Sequence, residues 1–227
     1  LLITDASQYY PYGSVTTASL LFNVVMCAFA GAFNVFCGDI NTAASLALAV
    51  SGPLFAVLAC IPMYFLGKEL FGNKLAGYLS ALFLALCPIV VRQSVFSNGE
   101  GLSFTLLLFI IAAIFVVKMV KSFNGADSEG IKGIISGNKA AVKFAVVAGI
   151  FLALTAISWT GFRAVILPLI AVMVIQVLID RFKAKNPMPM AFLYSLVVLL
   201  TVIIAGVYYI VVGLWDTVAS GPVFAGA

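Results

Sequence analysis

Few residues in this sequence could do chemistry. Glu100 stands in Arg92-Gln93-Ser94-Val95-Phe96-Ser97-Asn98-Gly99-Glu100-Gly101, a polar island between two long apolar runs. Asn98 and Glu100 are two residues apart in a glycine-containing turn. A carboxylate and an amide there offer oxygen donors suited to a hard divalent cation such as Mg²⁺ or Mn²⁺. The same carboxylate could act as a general base. One carboxylate does not hold an ion alone, so a further acid would have to come from elsewhere. The plainer reading makes Glu100 a charge that favours the N-terminal dipole of the following helix, with Ser97 or Asn98 as its cap.

Arg92 lies eight residues before Glu100, and Arg163 lies in a later apolar stretch. Their planar forks suit a phosphate or diphosphate headgroup if the fold brings them together. Otherwise they snorkel to the interface at helix ends. The sequence has no histidine, which excludes His-based catalysis and His-rich metal sites in this chain. Cys27, Cys37, Cys60 and Cys87 lie in or at the ends of apolar runs and form no C-x-x-C pair, so they read as small packing residues. No glycine-rich phosphate loop is present, and Ser158-Trp159-Thr160-Gly161 is no nucleophile elbow.

These residues must be positioned by membrane helices. Of 227 residues, 64% are hydrophobic and 9% charged, with a mean hydropathy of +1.20. Soluble domains carry about 25% charged residues, so the composition indicates an all-α, polytopic transmembrane helical bundle. About six spans are expected within 43–213: 43–67, 75–92, 102–117, 144–159, 162–179 and 190–213. Pro88 falls near the end of the second. Asp39 or Asn41 could cap the first. Residues 15–37 are apolar but interrupted by Thr16, Thr17, Ser19, Asn23 and Asn34, which suits an interfacial helix. Residues 1–14 contain a Tyr-Pro-x-Gly turn, and 214–227 read as the start of a loop.

Charge sets the orientation. With alternating spans, the loops at 68–74, 118–143 and 181–185 share one side and hold ten of the twelve basic residues. Lysine and arginine concentrate in cytoplasmic loops. The Glu100 island, the Thr160-Gly161 turn and the tail then face outward. The basic loops read as orientation signals and contacts to membrane lipids, and no nucleic-acid partner is expected. No signal peptide is evident, and Leu1 and Ala227 read as the ends of an internal fragment.

The order of the motifs resembles a known family. Asp5…Tyr10-Pro11-x-Gly13 is followed by Lys68-Glu69-Leu70, then Arg92-x-Ser94-Val95…Asn98-Gly99-Glu100-Gly101. Lys118-x-x-Lys121 and Ser158-Trp159-x-Gly161-Phe162 come next. This series is similar to the membrane part of oligosaccharyltransferase catalytic subunits, of the archaeal AglB-like type with eukaryotic and bacterial counterparts.

The resemblance implies the lipid-linked glycosyltransferase (GT-C) fold and an enzyme of protein N-glycosylation. Such an enzyme transfers a glycan from a polyprenyl (dolichyl) phosphate or diphosphate carrier to asparagine in Asn-x-Ser/Thr sequons of an acceptor polypeptide. It implies Mn²⁺ or Mg²⁺ as cofactor. Glu100 and Asn98 then match the second and first acids of the second external loop, Glu100 being catalytic. Residues 1–42 would be an external loop with its interfacial helix at 15–37. The membrane would be the cell membrane, or the endoplasmic reticulum with the Glu100 loop in the lumen. Asn98 departs from the family's aspartate, and the segment from Arg92 to Glu100 is one residue shorter. The first-loop acid and the Trp-Trp-Asp-Tyr-Gly motif fall outside this chain, and Trp215-Asp216 is not that motif. Two other classes fit the composition: a different polyprenyl-phosphate-sugar glycosyltransferase, or a non-enzymatic membrane subunit or transporter.

Overall fold

The computed structural model describes residues 4–5, 14–15, 20–96, 101–123, 130–159, 162–182 and 187–212. Tyr10, Asn98, Glu100, Thr160, Gly161 and the tail 214–227 lie outside them.

The architecture is all-α, as expected, beyond one antiparallel pair of two-residue strands, β1 (Thr4–Asp5) and β2 (Ser14–Val15). The helices are α1 (Leu20–Cys37), α2 (Ile40–Phe71), α3 (Lys74–Leu86), α4 (Pro88–Gln93) and α5 (Leu102–Lys121). They continue with α6 (Gly130–Gly137), α7 (Lys139–Ser158), α8 (Arg163–Phe182) and α9 (Met188–Val212). Among the described residues, α2, α5, α7 and α9 are long and apolar enough to cross a membrane. The chain is an integral, multi-pass membrane protein.

Local chemistry sets the helix ends. Asp39 caps α2: its Oδ2 accepts from the Thr42 amide at 2.9 Å and from the Thr42 hydroxyl at 2.7 Å. The polar break expected at 38–42 thus shrinks to two residues, and α2 begins earlier than the apolar run suggests. The charged turn expected at 68–74 is also only two residues long. Gly72 takes φ +68°, where a side chain would be strained, and donates to the Lys68 carbonyl at 2.8 Å. Asn73 then caps α3 through the Leu75 amide at 3.0 Å.

The expected span 75–92 is two helices. Pro88 disfavours a helical conformation in the residue before it, and Cys87 is extended, with φ −63° and ψ 119°. Pro88 then opens α4, where its missing N–H removes no helical bond. The segment expected as a long polar loop at 118–143 is largely helical: α5 runs on to Lys121, α6 follows, and α7 begins at Lys139.

The bundle is a row. α3 packs on α2, α2 on α5, α5 on α7 and α7 on α9, with α1 against α2 and α8 beside α9. The core of α5, α7 and α9 uses small residues, Ala141, Ala145 and Ala148 of α7 facing Leu193 and Val197. Small side chains let helices approach where lipid supplies no hydrophobic drive. Thr201 Oγ1 donates to the Gly149 carbonyl at 3.2 Å, and the Tyr209 hydroxyl to the Ala156 carbonyl at 2.7 Å. A second cluster joins α1, α2 and α5 through Phe22, Phe55 and Phe104, with the Phe55 and Phe104 ring centres 4.9 Å apart. All four cysteines are free thiols.

Candidate functional site

The bundle has two chemically distinct ends. At one, Lys121 Nζ donates to the Glu69 carbonyl and lies 3.6 Å from its carboxylate. That contact ties the last turns of α2 and α5 together. The loops at 68–74 and 118–143 therefore emerge on the same side, as the charge count expects.

The other end holds the residues that flank the Glu100 island. α4 carries Arg92 and Gln93 up to the island, and α5 begins at Leu102 directly after it. Gly101 occupies the cap position of α5, and the expected cap residues Ser97 and Asn98 lie outside the described residues. The Gly101 carbonyl accepts from the Thr105 amide at 3.0 Å and from its hydroxyl at 2.9 Å. Gly101 also lies against α1: a Cβ there would meet the Phe22 ring at 3.0 Å. The glycine thus permits the close approach of α1 to the start of α5.

α4, α5 and the residue that follows α7 line an open-mouthed cavity of about 220 Å³. Ile89, Val90 and Gln93 of α4 form one wall, Leu102, Ser103, Thr105, Leu106 and Phe109 of α5 another, and Trp159 a third. Trp159 follows Ser158, the last residue of α7, whose hydroxyl donates to the Leu154 carbonyl at 2.7 Å. Ser103 and Thr105 are 3% and 4% exposed, hydroxyls buried in the first turns of an otherwise apolar helix.

Of the four expected site residues, Arg92 is exposed in the last turn of α4. Arg163 opens α8, four residues after Trp159. Asn98 and Glu100 lie outside the described residues, between Phe96 and Gly101. Gln93, Ser103, Thr105 and Trp159 are additions to the expected set. Ser103 and Thr105 were visible as hydroxyls at the head of an apolar run, and Trp159 as part of a motif. Their meeting in one cavity depends on tertiary packing. Among the described residues, no three His, Cys, Asp or Glu side chains cluster.

Comparison with known families fits this geometry. Residues 3–224 match the model of the N-terminal part of oligosaccharyl transferase STT3. The chain belongs to the STT3 family. Among solved structures, it is similar to the archaeal oligosaccharyltransferase AglB from Archaeoglobus fulgidus, determined in complex with an inhibitory peptide and a dolichol-phosphate. The TM-score is 0.71 at 21% identity, a likeness of fold. The match covers 91% of this chain and 22% of that one, so this STT3 chain spans under a quarter of the solved protein's length. No curated protein matches it. Of the motifs read in order along this STT3 sequence, Lys68-Glu69-Leu70, Arg92, Lys118-x-x-Lys121 and Ser158 lie on α2, α4, α5 and α7 of one bundle.

Proposed function

We propose that this STT3-family chain is the membrane part of an oligosaccharyltransferase. It would help move a glycan from a polyprenyl phosphate or diphosphate carrier to asparagine in Asn-x-Ser/Thr sequons. The observation that carries the reading is the convergence of α4, the head of α5 and Trp159 on one cavity. The two stretches that flank the only acid in 92–101 share one end of the bundle with Trp159, which lies far later in the sequence. That end is opposite the Lys121–Glu69 contact and faces outward by the charge count. The external loop 1–42, the interfacial placement of α1 and the external tail 214–227 belong to the same reading. The Phe22–Gly101 approach supports it, because α1 starts beside the head of α5 and runs back along α2 to the turn at Gly38.

Glu100 and Asn98 would hold a divalent cation. Their donors are all oxygen, which fits Mg²⁺ or Mn²⁺. Other acids of the described helices are engaged: Glu69 lies with Lys121 at the basic end, Asp39 caps α2, and Asp180 accepts from Gln176 at 3.1 Å. Such an ion stabilises charge on a departing phosphate. Arg92 and Arg163 would bind the carrier's phosphate groups at the outer surface.

The test is Glu100→Gln in the intact protein, assayed for transfer to a sequon peptide with Mn²⁺ present. Loss of a carboxylate ligand is expected to lower transfer by about two orders of magnitude or more. Transfer at the original rate would remove Glu100 from the site.

A further inference from the structure

We propose that Lys139 and Lys143 of α7 form a binding site for one anionic phospholipid of the cytoplasmic leaflet, at the end of the bundle opposite the Glu100 island. The inference is independent of glycan transfer and rests on the orientation that the charge count gives. The two lysines are four residues apart, so they stand on one face of α7. Both are exposed. Val146, half-buried, and Ile150, exposed, continue that face toward the middle of the membrane. The packed face of α7 lies opposite, through Ala141, Ala145 and Ala148. From Lys143 to Ile150 is about 10 Å along the axis. Two ammonium groups therefore stand above an apolar strip, which complements a phosphate headgroup with an acyl chain beneath it.

The lysines do not serve α7 itself. Lys139 opens the helix, where a cation opposes the helix dipole, and no acid stands in the first turn. Like charges four residues apart also repel. Nor do the described acids at this end neutralise them: Glu69 lies with Lys121, and Asp180 accepts from Gln176. Lys118 adds to the same field. It is one turn past Phe115, whose ring centre is 6.2 Å from that of Phe144, the neighbour of Lys143. Four residues before Lys139, Ile135 of α6 is exposed, an apolar group at a charged edge. A lipid surface accepts both kinds of group together. A soluble acidic partner would match the lysines and leave Ile135 and Ile150 uncovered. The cytoplasmic leaflet supplies anionic headgroups at this level.

The experiment uses the intact protein, purified in mild detergent and titrated with phosphatidylglycerol or phosphatidylcholine of the same chain length. Bound lipids are counted by native mass spectrometry. One phosphatidylglycerol is expected to bind more tightly than phosphatidylcholine, by about fivefold for each lysine it meets. Lys139→Gln combined with Lys143→Gln should remove that preference, a loss of about 25-fold. Lys68→Gln combined with Lys74→Gln takes the same charge from the α2–α3 turn and should change the affinity by no more than about twofold, because exposed charges at a distance are screened. Equal losses from the two double variants would mean attraction by net charge alone and would overturn the site. Equal binding of the two lipids by the unaltered protein would overturn it whatever the variants do. Full competition by glycerol phosphate, which carries the head without the chains, would overturn the lipid and leave a soluble phosphate at the two lysines.

Discussion

Asp39 decides where the longest helix begins. Its carboxylate accepts two hydrogen bonds from Thr42, and these hold its pKa below the ordinary carboxylate value, the side-chain bond more than the backbone one. A carboxyl with a lowered folded pKa stabilises the folded state above its unfolded pKa, about 3.9. That contribution disappears as pH falls through the lowered value. Protection of the Thr42 amide from hydrogen exchange should therefore persist through the usual carboxylate range and fail only at more acid pH. Asp39→Asn keeps an acceptor but not the titration. Its Thr42 amide should show no acid transition, and a transition shared by both proteins would mean another group is responsible. The cap was legible in the sequence because an Asp before a Thr-containing apolar run has few other uses. The roles of Asn98 and Glu100 were legible only as residue types. What they touch depends on where α4, α5 and α7 converge, and no local spacing encodes that.

At the scale of helices, the hydrophobic runs revealed most elements and little of their packing. A membrane helix is apolar on its lipid face and on its packed face alike, so hydropathy does not mark the contact side. Leu82 and Phe83 of α3 are exposed, whereas Ala145 and Ala148 of α7 are buried, and a hydropathy plot reads all four as membrane residues. The break at Cys87 was foreshadowed by Pro88, because proline restricts its predecessor. The extension of α2 to 32 residues was hidden by Gly38–Thr42, which read as a polar gap but holds a two-residue turn and a cap. The order α3-α2-α5-α7-α9 comes instead from close approaches at small residues. At Gly149 a Cβ would meet Leu200 Cβ at 2.9 Å and the Val197 carbonyl at 3.1 Å. Gly149→Leu should push α7 from α9 and cost about 1–3 kcal/mol, seen as a lower unfolding temperature in detergent. Thr201→Val removes the hydroxyl bond to Gly149 but keeps the shape, and should cost only about 0.6 kcal/mol. Equal effects from the two would show that the hydrogen bond, not the close approach, joins these helices.

The whole molecule is polarised along its helix axes. α2 would be about 48 Å long, well beyond a hydrocarbon core of about 30 Å. Its C-terminal end is fixed near the basic side by the Lys121–Glu69 contact. Phe55 in its middle meets Phe104 two residues into α5. The first turns of α2 therefore run on past the level where α5 begins, by about 20 Å from Gly52 back to Ile40. α1 lies along this extension, with the Phe29 and Phe55 ring centres 6.1 Å apart. A bundle inserted with its lysines in the cytoplasm would carry the α1–α2 hairpin, the end of α4 and Trp159 toward the outside. Single cysteines in a background with the four native thiols replaced by alanine test this in intact cells. Phe96→Cys and Gly38→Cys should react with a membrane-impermeant maleimide added outside. Lys139→Cys and Lys74→Cys should react only after the membrane is opened. If Lys139→Cys labels first, the charge rule fails for this chain and Arg92 faces the cytoplasm, where an outward-facing glycan transfer could not use it. If Phe96→Cys reacts from outside but Gly38→Cys stays protected, the α1–α2 hairpin lies buried in the membrane rather than beyond it.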